Sequence, residues 1–310
     1  MSLFRGLGVD VREGNNDPSK IIELHKGLDF TPRKVPSFYA TSEGDHIYTG
    51  EHRIINDKTG KVIDGGYPVS TKYKPHDVKA ILQSLCEVAN MAEMVISNIA
   101  VLRWGAHILV KAESKETFTP VLGDIYGGNL LFKISNVPGI TSACSAYVLR
   151  LICLNGATAR EGVGDGILTL THLHEYNAVS REKVERMMGA LSSSLTSYKG
   201  RMEMLYSTPV EHDEAQVFKR RVLEIGEEEE SRTLTSLGEA MVNQPGLALT
   251  MPTQGDVTFA TLYNGVTYWV DHVRGRRPET ALFSSIYGEG ERLKRRALKV
   301  ALEMISEGRS

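Results

Sequence analysis

Hydrophobic and polar positions follow different periods in the two parts of the chain. Up to about residue 178, apolar residues come in short runs or at every second position. "MVISNIAVLRW" and "AHILVKAES" are rich in β-branched residues and meet at Gly105, which predicts two antiparallel strands. "NLLFKISNV" predicts another strand, and "GILTLTHLHEY" alternates as a strand does. "HRIIND" and "KTGKVID" flank Lys58-Thr59-Gly60 and read as a hairpin, with "YPVSTKY" a third strand-like piece. "SACSAYVLRLICL" fits a strand or the start of a helix equally well. Two helices interrupt this part. "SKIIELHKGLDF" is short, with Ser19 as its expected N-cap. "KPHDVKAILQSLCEVANM" places Val78, Ile81, Leu82 and Leu85 on one face. Residues 1–45 are otherwise expected to be loop-rich, since "EGNNDPSK" and "TPRKVPS" carry structure breakers.

Past residue 178 the period becomes 3.6. Val184, Met187, Met188, Leu191, Leu195, Tyr198, Met202 and Leu205 form an apolar stripe along one helix, the pattern of a core face. "DEAQVFKRRVLEIGEEEESR" predicts a helix ending in a solvated acidic run. In "GDVTFATLYNGVTYWVDHVRG", Phe259, Leu262, Val266, Trp269, Val270 and Val273 share one side. "GERLKRRALKVALEMIS" predicts the last helix. The pattern as a whole is that of an α+β fold. A strand-rich core at 1–178 and a helical part at 179–310 pack as one continuous domain.

The 310 residues, 41% hydrophobic and 24% charged, have the balance of an ordinary globular protein with a substantial core. No apolar run has the length of a membrane-spanning helix, and the N-terminus lacks a basic region followed by an apolar one. The expected location is the cytoplasm, with no membrane partner. Three cysteines without a C-x-x-C pair argue for buried thiols in a reducing compartment rather than a disulfide framework or a cysteine zinc site. A net charge of −2 excludes a uniformly basic body but leaves room for a local basic patch.

Such a patch is visible near the C-terminus. Arg274, Arg276 and Arg277, then Arg292, Lys294, Arg295, Arg296 and Lys299, lie among Tyr268, Trp269, Phe283 and Tyr287. Cations interleaved with aromatic rings suit single-stranded nucleic acid, though the same residues fit a solvated helix face, and Trp269 belongs to the apolar stripe. Lys111, Lys133, Arg181, Lys183 and Arg186 are candidates to extend the surface. A second constellation is polar. Arg150, Cys153 and Asn155 interrupt the apolar run "AYVLRLICLNG". The guanidinium of Arg150 suits phosphate, or else a buried acid such as Asp124, Asp165 or Asp271, with the Asn155 amide capping it. His172 and His174 share one face of a strand, but they lack the further ligands that a metal needs. Asn264, Tyr268, Asp271 and His272 fall at i, i+4, i+7 and i+8, on the helix face opposite the apolar stripe. That face fits acid–base chemistry or a polar interlayer. Serine-nucleophile, phosphate-loop and dinucleotide motifs are missing. No cofactor and no metal are expected.

The order of these segments resembles a phage- and plasmid-borne family called domain of unknown function 932. The resemblance runs through "GLDF", "DKTGKVIDGGYPVSTKYKPHD" and "GDIYGGNLLFKISNVPGITSACSAYVLRLICLNGATA", where Arg150, Cys153 and Asn155 match an Arg-x-x-Cys-x-Asn motif. It continues through "LTLTHLHEY" with His172 and "YNGVTYWVDHVRGRRPETALFSSIYGEGERLKRRAL" with Asn264, Asp271, His272, Gly288, Gly290 and Lys294. Arg5 stands where the family more often has a His before "GLG". The resemblance implies a mobile-element origin. By fold-level analogy it also implies kinship with phage single-strand annealing proteins.

The expectation is therefore a non-enzymatic single-stranded DNA-binding or annealing protein. It would act in phage or plasmid recombination or replication as a homo-oligomer. Arg150, Arg274, Arg276, Arg277, Arg292, Lys294, Arg295 and Arg296 are its candidate contacts. The alternatives are an enzyme acting on phosphate esters through the Arg150, Cys153, Asn155, His172, Asp271 and His272 pocket, or an anti-defence interaction protein.

Overall fold

The computed structural model describes residues 3–121, 123–151, 155–158, 169–170, 181–226, 229–251, 256–275 and 277–308. Strands and helices follow in the order β1 (Val9–Asp10), α1 (Pro18–Leu24), β2 (Pro32–Ala40), β3 (His46–Asn56), α2 (Val78–Met91), β4 (Val95–Leu102), β5 (His107–Val121), β6 (Asp124–Ser135), β7 (Ser142–Arg150), β8 (Asn155–Thr158) and β9 (Thr169–Leu170). The helical half holds α3 (Arg181–Ser207), α4 (His212–Leu223), α5 (Arg232–Asn243), α6 (Phe259–Tyr268), a π-turn at Trp269–Val273, α7 (Pro278–Tyr287) and α8 (Glu289–Glu307). The fold is α+β, strand-rich in its first half and helical in its second. One hydrophobic cluster draws residues from Val11 to Ile305, so both halves share a core.

The main sheet is an antiparallel meander in the order β1-β4-β5-β6-β7-β8, with β9 also on β7. β4 and β5 meet at Gly105 as the alternation predicts, pairing Leu102 with His107. Both faces of the sheet are covered. Ile108, Val110 and Ala112 face the large core with Leu191 and Leu195 of α3. Leu109, Leu131, Tyr147 and Leu149 face a smaller core closed by Leu282 and Ile286 of α7. "SACSAYVLR" is a strand, which resolves the ambiguity of that run.

Several expectations need correction. The cap of α1 is Asp17, whose carboxylate accepts from the amides of Ser19 and Lys20, with Pro18 at the first helical position. The hairpin lies earlier than expected. β2 and β3 pair from Pro32↔Asn56 to Ala40↔His46 in a separate two-stranded sheet, whereas 58–62 contributes only a turn and an Ile55↔Val62 bridge. Two prolines are tolerated there because Pro32 opens the strand and Pro36 sits at a register shift. Helix α5 was not foreseen. Of "GILTLTHLHEY", Thr169–Leu170 is a strand, and the remainder, both histidines included, lies outside the described residues. Among the described residues no helix is long and apolar enough to cross a membrane.

Candidate functional site

Arg150 ends β7 directly opposite Tyr126 of β6, and Asp124 stands two residues before Tyr126. Side chains two apart on a strand share a face, so these three project together toward the helical half. Arg150 is 1% exposed and Asp124 is fully buried. The Arg150 Nε donates to both Asp124 oxygens at 2.9 Å, and its Nη2 lies 2.7 Å from Oδ2. Nη1 donates to the Pro245 carbonyl at 3.3 Å and Nη2 to that of Gly246 at 3.2 Å. The Tyr206 hydroxyl, at the end of α3, also donates to Asp124. Tyr126 then links Tyr206, at 3.2 Å, to the Asn264 side chain of α6, also at 3.2 Å. Burial pushes the Tyr126 and Tyr206 phenols well up, so both stay neutral donors. The Asp124 alternative for Arg150 is thus the one realised. The guanidinium is a pin joining β6, β7, α3 and the segment after α5, and it is not offered to a phosphate.

A second buried ion pair lies one helix further on. α6 continues into the π-turn, where the Arg274 amide reaches the Trp269 carbonyl at 2.6 Å. This wider turn carries Asp271 toward α7 and α8. Lys294 Nζ donates to Asp271 Oδ1 at 2.9 Å and lies 3.1 Å from Ser285 Oγ, which itself donates to Asp271. Lys294 is 4% exposed, so a residue expected on the basic surface is instead a core lysine. Of the two readings of the polar positions at 264–272, Asn264 follows the interlayer, facing the Arg150 network through Tyr126. Every residue from Phe259 to Thr267 is buried, and Asn264 and Asp271 serve separate networks. Val273, assigned to the apolar stripe, is 43% exposed because the π-turn shifts the phase of the helix. His272 is half-buried with its ring 5.3 Å from that of Tyr268.

The remaining cations converge in part. A cleft with a cavity volume of about 1020 Å³ lies between the end of α4, the start of α5, the π-turn and α8. Arg232, Arg274, Arg292 and Arg296 line it together with Glu224, Glu229 and Glu289. Arg274 pairs with Glu289 at 2.6 Å and Arg296 with Glu224 at 3.0 Å. The Arg274 hydrogen bond holds the Glu289 carboxyl below its ordinary range. Arg292 is exposed and has no ion pair among the described residues. Arg277 is exposed beside a smaller cavity, and Arg295 pairs with Glu291 one turn back. Trp269 forms a buried wall, 3% exposed, with its indole N–H on Ser236. Lys111 and Lys133, expected to extend the basic surface, are buried at 2% and 5%.

Arg276, Cys153, His172 and His174 lie outside the described residues, as does the Asn155 side chain, although the Asn155 backbone pairs with Arg150. Cys86 and Cys144 are buried free thiols, as their spacing predicts. Among the described residues no group of three or more His, Cys, Asp or Glu is placed to hold a metal. Arg232 and Ser285 were not picked out from the sequence. Arg232 stands alone in a weakly helical stretch, and a lone buried serine carries no pattern to read.

The fold and these sites define an α+β protein built on an antiparallel meander, with two buried ion pairs at its helical seam and an arginine-lined cleft between helices. The chain matches the family model described as Domain of unknown function (DUF932) over residues 68–287, well over half its length, and it belongs to that family. No curated protein and no solved structure matches it.

Proposed function

We propose that the protein binds single-stranded DNA through the arginine cleft and serves strand annealing in phage or plasmid recombination or replication. In this reading it works as a homo-oligomer in the cytoplasm of the host cell. The observation that carries the reading is the convergence of Arg274, Arg292 and Arg296, from two separate stretches of sequence, with Arg232 on one cleft. Guanidinium forks match phosphate oxygens as well as carboxylates. Glu289 and Glu224 hold Arg274 and Arg296 in place, and a backbone phosphate would take over from those carboxylates. Arg292, exposed and without an ion pair among the described residues, makes the first contact. Three glutamates in the lining keep the electrostatic pull modest, and affinity falls with salt because each phosphate contact releases counterions.

Four phosphate contacts give a slope of log K against log salt of about −3 for a single strand. Fluorescence anisotropy with a labelled oligonucleotide over a salt series measures it. Arg292→Ala and Arg232→Ala, both at exposed positions, each flatten the slope by about 0.7. Absence of binding at about 50 mM salt, or variants that bind like the parent, would overturn the reading. Electron microscopy with and without oligonucleotide tests the oligomer.

A further inference from the structure

The tight connection between β4 and β5 holds an indole out to solvent. Arg103, Trp104 and Gly105 have φ of 49°, 62° and 104°, three consecutive residues in the left-handed region. For Arg and Trp that conformation is strained, and it persists only where the surroundings impose it. Here they do. The ring of Phe30 occupies the space behind Gly105, where a Cβ would lie 2.2 Å from Cζ. Asn136 donates to the Gly105 carbonyl at 3.1 Å. Asn56, itself buried, donates to the Trp104 carbonyl at 2.9 Å, and Glu279 of α7 accepts from the Arg103 amide.

The outcome is a rigid backbone presenting a side chain that is 60% exposed. Nothing in packing requires a tryptophan in this place, since most of its ring lies outside the core. One cation lies at the ring and a second over a neighbouring phenyl ring, with the Glu279 carboxylate at the Arg103 amide. Lys61 Nζ stands 5.7 Å from the centre of the indole, and the Arg103 guanidinium lies 4.8 Å from the centre of the Phe283 ring. An exposed aromatic plane with a lysine ammonium near one face leaves its other area for a ligand that is flat, aromatic and anionic.

We propose that Trp104 is a base-stacking platform for the single strand, with Lys61 and Arg103 meeting the phosphates that flank the stacked base. The proposal rests on the single-strand reading and adds to it a contact away from the arginine cleft. The Trp269 ring, the other indole of the chain, is buried and cannot serve in this way.

The test titrates the parent protein and Trp104→Leu with a fluorescein-labelled deoxythymidine oligonucleotide, and follows the intrinsic tryptophan emission with an unlabelled one. The parent emission is quenched on binding and the variant emission is not. Trp104→Leu binds about 5- to 150-fold more weakly, the range of one lost base stack. Its salt slope stays that of the parent, because indole carries no charge. Trp104→Phe keeps part of the affinity, and melting curves of both variants verify that the fold survives. An abasic strand of equal length loses the advantage of the parent over Trp104→Leu. If the parent binds, while Trp104→Leu binds equally well and the parent emission does not change, the platform is wrong and the cleft reading stands. If the parent binds no oligonucleotide, the single-strand reading fails and the platform with it. A blue shift of the parent emission with protein concentration, in the absence of DNA, identifies Trp104 as a contact between copies and overturns the proposal.

Discussion

Replacing Arg150 by alanine removes every donor of one guanidinium from a closed site. Asp124 keeps only the Tyr206 hydroxyl among its described side-chain donors, and it remains fully buried. An uncompensated buried charge of this kind costs about 3–5 kcal/mol. The Pro245 and Gly246 carbonyls lose a donor as well. Against a typical total stability of about 5–15 kcal/mol, the loss is a large fraction. Lysine keeps the charge but replaces a planar fork by a point donor, so Arg150→Lys is expected to lose more than half of that amount. Removing both charges is a different perturbation. Asp124→Leu with Arg150→Met leaves no buried charge, and a pair replaced by apolar residues of similar volume is often close to neutral. The assay is urea unfolding followed by circular dichroism for the four proteins, analysed as a double-mutant cycle with the Asp124→Leu and Arg150→Met single variants added. The expected coupling exceeds about 3 kcal/mol, because each single variant strands a buried partner and the double variant strands neither. A folded Arg150 variant is also expected to bind oligonucleotide like the parent. Losses of Arg150→Ala below about 1 kcal/mol, or additive single-variant effects, would refute the account of Arg150 as a core pin.

Two further outcomes follow from buried groups. His107 is fully buried, neither ring nitrogen has a hydrogen-bond partner among the described residues, and burial with the nearby Arg103 charge lowers it to about 4. Its folded value lies below the unfolded one, so the unfolded chain takes up the proton first. Stability is complete above about pH 6.5 and falls by about 3 kcal/mol as pH drops toward 4. Urea unfolding across that range, compared with His107→Phe, isolates this contribution, and identical pH profiles would count against it. Lys294→Met is expected to destabilise by about 3–5 kcal/mol through the stranded Asp271, and Asp271→Asn in the same chain recovers much of the loss. Any folded Lys294→Met protein keeps the parent salt slope in DNA binding, whereas a flatter slope would return Lys294 to the phosphate contacts.

The strands around Gly105 and the apolar stripe of α3 were readable because both depend on periodicity, which the chain itself carries. Arg150 was readable as a residue in need of a partner. The choice among Asp124, Asp165 and Asp271 was not readable, because it depends on the register of β6 against β7. Lys294 shows the same limit. In sequence it belongs to a basic run, and its carboxylate stands 23 residues away across a π-turn that shifts the helical phase. The β2–β3 hairpin was hidden by two prolines whose positions at a strand start and a register shift are visible only once the pairing is known. Helix α5, rich in Thr, Ser and Gly, has weak helical propensity, and the packing of Leu237, Ala240 and Met241 overrides it.

The clamp on Arg150 also sets an order of events during synthesis. β4 to β7 each pair with the next strand along the chain, so the meander closes short loops and forms early. Pro245 and Gly246 follow 95 and 96 residues after Arg150. A growing chain therefore displays the inner face of β6 and β7 to water while the helices that cover it are still being made. In water the carboxylate and guanidinium are well solvated, and they interrupt what would otherwise be a continuous adhesive face. The charges guard the half-built sheet against aggregation, and they give up their water only when the later helices arrive to replace it.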